Sequence, residues 1–205
     1  MRPWDIILAA VLVLLLFIAG LLVRTEVRTP GQVAGVFALW VAEGFGVGRI
    51  PWAPGTFGSV VGIAWFWVLL AGGGYLVFMA GLVAGIALSV WLCGVAEERL
   101  GKKDPSSVVL DEISAMPLCF VALVWLHARH GGWPEPAYFF SDGNWLSILG
   151  VFAAFRLFDV WKPWPVHQSQ ALPRGWGITV DDQLAALYVN AATLIIWSLR
   201  ALFRG

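Results

Sequence analysis

The most restrictive feature of this sequence is an apolar run over residues 59–96 that contains no charged side chain. A helix needs about 20 apolar residues to cross the roughly 30 Å hydrocarbon core of a bilayer, so this run is long enough for two crossings. The glycine cluster at residues 72–74 is typical of a turn. We therefore predict two membrane-spanning helices that follow one another directly.

Four further apolar runs extend this interpretation to the whole chain. They predict spans at residues 6–23, 108–126, 145–161 and 183–203, while residues 32–45 are too short and predict an interfacial or partly buried helix. A mean hydropathy of +0.79 with 60% hydrophobic and 13% charged residues is typical of an integral membrane protein. The predicted fold is an all-α, polytopic membrane helical bundle with about six spans.

The charges exclude one class of partner and orient the spans. Thirteen Lys and Arg balance thirteen Asp and Glu, which argues against a nucleic-acid partner. With the amino terminus outside, basic residues favour the cytoplasmic side by eight to four, as the positive-inside rule requires. The eight are Arg24, Arg28, Arg49, Arg99, Lys102, Lys103, Lys162 and Arg174, and the four are Arg2, Arg129, Arg200 and Arg204. This orientation puts the polar segments around residues 54, 104–112 and 162–182 on one face.

Six acids at the ends of predicted spans on this face are candidates for chemistry. A carboxylate at membrane depth is costly unless it is paired or binds a metal. The six are Asp104, Asp111, Glu112, Asp159, Asp181 and Asp182.

Two of these groups also have simpler explanations. Arg156, Asp159 and Lys162 recur every three residues, so they lie on one helical stripe and could form an interhelical ion ladder. Asp181 and Asp182 could cap the last helix, although one cap needs only one acid.

The combination of carboxylates and cations favours a magnesium site that holds a phosphate. Mg²⁺ prefers hard oxygen ligands and commonly combines a few carboxylates with substrate phosphate. Arg156, Lys162 and Arg174 could then neutralise the phosphate oxygens.

Four motifs in this chain resemble the phosphatidylglycerophosphatase A family. They are PWAPGTFGS at 51–59, DPSSVVLDE at 104–112, FRLFDVWKPWP at 155–165 and GWGITVDD at 175–182, and the resemblance covers about residues 44–188. It implies Mg²⁺-dependent hydrolysis of phosphatidylglycerophosphate to phosphatidylglycerol and phosphate. The implied location is the cytoplasmic face of a bacterial inner membrane, and no protein partner is implied.

Combined with the residue analysis, the resemblance predicts a set of site residues. Catalytic roles fall to Asp111, Glu112, Asp159, Asp181 and Asp182, of which all but Asp181 are expected metal ligands. Substrate binding falls to Thr56, Arg156, Lys162 and Arg174. We expect residues 1–30 to form an added membrane anchor and residues 31–205 to form the catalytic domain. Whether water or an aspartate attacks the phosphate stays open.

The chain also departs from the family pattern. Ala115 and Ala186 replace common glycines, and Gln170 stands about where relatives tend to carry an aspartate. Gln170 could be a weakened metal ligand or could only shape its loop, and we favour the loop role. Two other functions are a scaffold of this family that has lost catalysis and an ion-conducting transporter. Retention of the five acids argues against the scaffold, and a transporter would place its acids at mid-span.

Overall fold

A computed structural model of the chain describes residues 30–141 and 143–204. The predicted first span and most of the predicted anchor domain therefore lie outside the described residues. Within the described part the chain forms nine α-helices and a 3₁₀ helix over Gly44–Arg49. The α-helices are α1 (Pro30–Ala42), α2 (Pro54–Ala71), α3 (Tyr75–Leu100), α4 (Leu110–Cys119), α5 (Val121–Gly131), α6 (Pro136–Phe139), α7 (Trp145–Trp161), α8 (Val166–Ser169) and α9 (Gly175–Arg204).

This architecture confirms the predicted all-α membrane bundle. Four segments of the described part are long and apolar enough to cross a membrane: Pro54–Ala71, Tyr75–Leu100, Leu110–Gly131 and Gly175–Phe203. Helix α7 has the predicted bounds, and its 17 residues extend for about 25 Å. The last helix begins at Gly175 rather than at residue 183, so the paired aspartates lie inside it.

Glycines on one face of α2 allow this helix to pack closely against α4. A Cβ at Gly58 would lie 2.8 Å from the Val109 Cβ, and one at Gly62 would lie 2.6 Å from the Met116 Cβ. Small residues four apart allow helix backbones to approach closely in membranes, where lipid tails compete for every apolar contact. This packing fixes the start of α4 relative to the start of α2.

The core of the bundle is aromatic. Phe66 of α2 stacks on Phe120 with ring centroids 4.1 Å apart, and Phe78 and Phe139 meet its ring edge-on. These four side chains are almost completely buried. They lie at the end of the bundle opposite the polar segments that contain Asp111, Glu112 and Asp182. Their ring contacts join α2, α3 and the α4–α5 segment.

Pro117 interrupts the helical segment Leu110–Gly131. One side chain of α9 makes hydrogen bonds to the backbone groups that the interruption leaves unpaired. Helix α4 ends at Cys119 and α5 restarts at Val121. Asn190 accepts a hydrogen bond from the Ala122 N–H at 2.7 Å and donates one to the Leu118 carbonyl at 2.8 Å. The amide thus replaces the helical bond that would join Leu118 to Ala122, which matters because lipid offers no hydrogen-bonding partner.

We expect Asn190→Leu to lower the free energy of unfolding by about 1–3 kcal/mol, the usual cost of leaving buried polar groups unpaired. Thermal unfolding in detergent measures the effect. Asn144→Ala is the matched control, because the hydrogen bonds of Asn144 are exposed. Equal unfolding temperatures for the two variants would show that Asn190 does not stabilise the break.

Candidate metal centre

One end of the bundle gathers the start of α2, the end of α3, the start of α4, the end of α7 and the start of α9. These segments are far apart along the chain, yet their side chains are in contact. Lys162 contacts Asp181, Arg174 pairs with Glu98, and Gly55 lies against Glu112. The three polar segments that the charge pattern assigned to one face therefore do converge.

Asp111 and Glu112 lie in the first turn of α4, where carboxylates interact favourably with the positive end of the helix dipole. The preceding segment is fixed by a hydrogen bond from the Val109 N–H to the Ala42 carbonyl at 3.0 Å. Val109 itself is completely buried. The apolar residues around the two acids thus hold their backbone in place, and Asp111 is only 7% exposed.

Asp181 and Asp182 lie in the second turn of α9, six and seven residues after Gly175. The alternative that they cap this helix is therefore wrong, because a cap must precede the first turn. Successive helical residues point about 100° apart, so the two carboxylates face different neighbours. Asp182 joins Asp111 and Glu112, whereas Asp181 turns toward Lys162.

Asp111, Glu112 and Asp182 form a cluster that can hold a metal ion. One carboxylate oxygen from each lies within 4.8 Å of those of the other two. Each residue also has a buried oxygen without a hydrogen-bond donor, namely Asp111 Oδ1, Glu112 Oε2 and Asp182 Oδ2. Three carboxylates so placed repel one another at a cost that a cation would remove. The all-oxygen donor set fits a hard divalent ion such as Mg²⁺ better than a soft one.

Asp159 belongs to a row of charges beside the three-membered cluster, and its predicted role as a metal ligand stays a prediction. Its Oδ2 lies 2.7 Å from Arg156 Nη1, and its Oδ1 lies 4.0 Å from Lys162 Nζ. The predicted stripe of Arg156, Asp159 and Lys162 is thus present. Asp182 lies within electrostatic reach of Asp159, so the row borders the cluster.

Lys162 extends the row from α7 to α9. Its Nζ donates a hydrogen bond of 2.6 Å to Asp181 Oδ2. Burial alone would lower the pKa of Lys162, but this hydrogen bond and the charges of Asp181 and Asp159 outweigh it and raise the pKa above its usual value. The ammonium group therefore stays charged at neutral pH.

The start of α2 closes the cluster on another side. A Cβ at Gly55 would lie 2.1 Å from Glu112 Oε1 and 3.3 Å from Arg156 Nη1, so a side chain here would displace the Glu112 carboxylate from this position. Thr56 follows in the same first turn and is half-buried. Its predicted role in substrate binding is compatible with this position and stays a prediction.

Two other predicted residues lie apart from the cluster. Arg174 is mostly exposed, and its Nη2 pairs with Glu98 Oε1 at 2.9 Å. Asp104 is exposed in the segment before α4. A substrate role for Arg174 would require it to leave Glu98.

Sequence reasoning missed the polar contacts that join α4 to α9 beside the cluster. Gln183 donates to Ser114 Oγ at 3.1 Å, and Ser114 donates to the Asp111 carbonyl at 2.9 Å. The signal was available, since both are polar residues inside apolar runs. Gln170 was noticed as a departure, but its hydrogen bond of 3.0 Å to Asp181 Oδ2 could not be foreseen.

A membrane bundle with buried carboxylates and adjacent cations at one end has the features of an enzyme that handles an anionic, metal-associated group. The comparison with known families makes this specific. Residues 40–197 match the family model described as phosphatidylglycerophosphatase A. The chain belongs to this family, which confirms the predicted class of lipid phosphate monoester hydrolase.

Several curated proteins are similar to this chain. Phosphatidylglycerophosphatase A of Haemophilus influenzae is 32% identical over 161 residues, which cover 78% of this chain and 86% of that protein. Phosphatidylglycerophosphatase A of Escherichia coli is 30% identical over 148 residues, which cover 72% and 76%. A Bacteroides thetaiotaomicron protein with the provisional name phosphatidylinositol-3-phosphatase is 32% identical over 152 residues, which cover 72% and 86%. No solved structure matches the chain.

We expect Asp111→Asn to unfold at the same or a higher temperature than the unchanged protein in EDTA, because one of three mutually repelling carboxylates is gone. With Mg²⁺ at a hundred times its dissociation constant, the unchanged protein should gain about 5 °C or more and the variant much less. Thermal unfolding in detergent, with and without Mg²⁺, measures both effects.

Glu135→Gln is the matched control, since this exposed acid lies near the opposite end of the bundle. It should keep the full gain with Mg²⁺. An equal gain for Asp111→Asn would mean that the cluster does not bind the ion.

Proposed function

We propose that this chain hydrolyses the terminal phosphate monoester of phosphatidylglycerophosphate with Mg²⁺ as cofactor. The observation that carries the proposal is the set of buried carboxylate oxygens of Asp111, Glu112 and Asp182 that lack hydrogen-bond partners. The cationic side chains of Arg156 and Lys162 lie beside this set. A phosphate monoester is a dianion, and a divalent metal together with cationic side chains can neutralise it in a poorly solvated site. Family membership and the names of two similar proteins support this substrate.

Different side chains would bind the metal and the substrate. Asp111, Glu112 and Asp182 would hold Mg²⁺, which as a Lewis acid polarises the phosphate and favours attack on phosphorus. Arg156 and Lys162 would bind the phosphate oxygens. Asp159 orients both cations, because it contacts Arg156 on one oxygen and faces Lys162 with the other.

The overall reaction breaks the bond between phosphorus and the ester oxygen, and an oxygen derived from water ends on the released phosphate. The glycerol oxygen takes a proton and leaves as the hydroxyl of phosphatidylglycerol. The attacking group, a water molecule or an aspartate, is left unassigned.

Exposed tryptophans support a lipid substrate. Trp52, Trp161, Trp164 and Trp176 are each more than half exposed and lie at the starts or ends of helices beside the carboxylates. Tryptophan favours the membrane interface, where its ring is in the apolar layer and its N–H reaches polar groups. The site would then lie at headgroup depth, where the phosphate of a membrane lipid is found.

The transporter alternative is not favoured by this geometry. Asp111 and Glu112 occupy the first turn of a span, and Asp159, Asp181 and Asp182 lie at or near helix ends on the same side. An ion path through the bundle would need acidic or polar groups along its length. Instead, the interior beyond the cluster is filled by the aromatic core.

We expect Asp159→Asn and Asp182→Asn each to lower turnover of phosphatidylglycerophosphate at least about a hundredfold, the scale lost with a positioned catalytic group. Phosphate release from mixed micelles, measured with Mg²⁺ and with EDTA, tests the proposal. Glu135→Gln is again the control and should keep full activity.

Near-normal activity of both Asn variants would reassign these acids to structural pairing. An unchanged protein that releases phosphate only from another lipid, such as a phosphatidylinositol phosphate, would overturn the substrate but keep the reaction. Activity unaffected by removing all divalent ions would overturn the metal assignment.

We also expect single cysteines at positions 56, 103 and 168 to react with a membrane-impermeant thiol reagent only from the cytoplasmic side. The basic residues of the connecting segments favour that side. Cys93 and Cys119 are completely buried, so background labelling should be low. Labelling of any of the three from the opposite side would contradict a cytoplasmic site.

A further inference from the structure

Four helices surround α4, and the ring that they form is open at one place. Helices α2, α3, α9 and α7 each pack against α4. Around it, α2 also packs on α3, α3 on α9, and α9 on α7. In the part of the chain that the structure describes, α7 and α2 hardly approach each other. A cleft therefore separates these two helices, and we call it the α2–α7 cleft.

The side chain of Arg156 lies across one end of this cleft. A Cβ at Gly55 would lie 3.3 Å from Arg156 Nη1, which places the guanidinium beside the first turn of α2. The same Cβ would lie 2.1 Å from Glu112 Oε1. The cleft therefore ends at the carboxylate cluster and at a cation that we assign to the substrate phosphate.

Helix α2 borders the cleft with apolar side chains. Leu69 faces α3, since a Cβ at Gly81 would lie 2.4 Å from Leu69 Cδ2. Trp67 precedes Leu69 by two residues and so lies about 200° away around the helix, on the side opposite α3. Ile63, one turn before Trp67, shares that side. Both are half-buried, as expected for the wall of a cleft.

Helix α7 forms the opposite wall and is apolar as well. Phe152 and Leu149 precede Arg156 by four and seven residues, so they lie on the same stripe of the helix. Phe158 belongs to another face, because its ring stacks on Tyr188 of α9 with centroids 5.3 Å apart. Phe152 is half-buried, whereas Leu149 is 50% exposed.

The short helix α6 closes the far end of the cleft. It contacts both α2 and α7, and its Phe139 meets Phe66 of α2 with ring centroids 5.4 Å apart. From Arg156 back to the start of α7 the helix extends for about 16 Å, which is about half of the roughly 30 Å hydrocarbon core. The cleft is therefore an apolar trough about one leaflet deep with a cation at its open end. This shape and charge suit an acyl chain that carries an anionic headgroup.

We propose that the α2–α7 cleft binds an acyl chain of the lipid substrate while the phosphate of that lipid lies at Arg156. This inference rests on the proposed function, since it presumes that the substrate is a lipid phosphate. It adds that the substrate enters directly from the bilayer and is recognised by its chain as well as by its headgroup.

The first test fills the cleft at Leu149, which lies about 10 Å along α7 from Arg156. Leu149→Trp is compared with Leu88→Trp, the same substitution on α3 at a residue that is also 50% exposed. Phosphate release is measured in mixed micelles with Mg²⁺, from dioleoyl and from dihexanoyl phosphatidylglycerophosphate. Only the longer chain reaches position 149. The ratio of kcat/KM for the dioleoyl lipid to that for the dihexanoyl lipid should therefore fall at least about fivefold in Leu149→Trp and change less than about twofold in Leu88→Trp.

The second test needs no turnover and no variant, so it holds even if Leu149→Trp does not fold. The probe is a phosphonate analogue of phosphatidylglycerophosphate, in which carbon replaces the scissile ester oxygen, with a diazirine at the middle of one acyl chain. After illumination with Mg²⁺ present, we expect mass spectrometry to find the label within residues 60–67 and 149–152. Excess unlabelled phosphonate should suppress this labelling, and excess phosphatidylcholine should not.

Three results would overturn the inference. The first is an equal change of the kcat/KM ratio in the two Trp variants. The second is labelling that spreads over the exposed residues of all helices or that the unlabelled phosphonate does not suppress. The third is labelling of residues 6–23 instead of α2 and α7, which would show that the predicted first span occupies the cleft.

Failure of the proposed function would look different. The unchanged protein would then release no phosphate from either lipid, and the labelling alone would decide whether the cleft binds an acyl chain.

Discussion

The burial of carboxylates at one end of a membrane bundle is the constraint on which the rest of the structure depends. Asp111, Asp181 and Asp182 are each 7% exposed or less. An unpaired charge in such surroundings costs several kcal/mol. Two features of the fold lower this cost. Asp181 pairs with Lys162, and Asp111, Glu112 and Asp182 lie so close together that one cation could neutralise all three. The first arrangement is an ion pair, and the second is a candidate metal centre.

The apolar parts of the chain serve to hold this arrangement. The glycines of α2 bring its first turn against α4, and Gly55 leaves just enough room for the Glu112 carboxylate. Asn190 ties the broken segment around Pro117 to α9, the helix that carries Asp182. These contacts lie in different parts of the bundle, yet each fixes the position of α4 relative to a neighbour. Rigid support of this kind is what a metal or phosphate site requires.

Much of the fold could be predicted from sequence because bilayer thickness sets the length of apolar runs. The turn at residues 72–74 and the bounds of α7 follow from the sequence pattern alone, and the charge asymmetry predicted that the polar segments share one face. The residues of the centre could be named because charged groups in apolar runs are conspicuous. Their pairing could not be predicted, since spacing along one helix says nothing about contacts between helices. Arg174 illustrates this limit, because its partner Glu98 lies on α3.

The account depends most on the claim that Asp111, Glu112 and Asp182 bind a divalent ion. Electron paramagnetic resonance of added Mn²⁺, used as a paramagnetic substitute for Mg²⁺, tests this without any assay of activity. We expect the unchanged protein to bind Mn²⁺ and release it when Mg²⁺ is added, Glu135→Gln to do the same, and Asp182→Asn to bind at least about tenfold more weakly. Equal Mn²⁺ binding by Asp182→Asn and the unchanged protein, or no binding by either, would contradict the account.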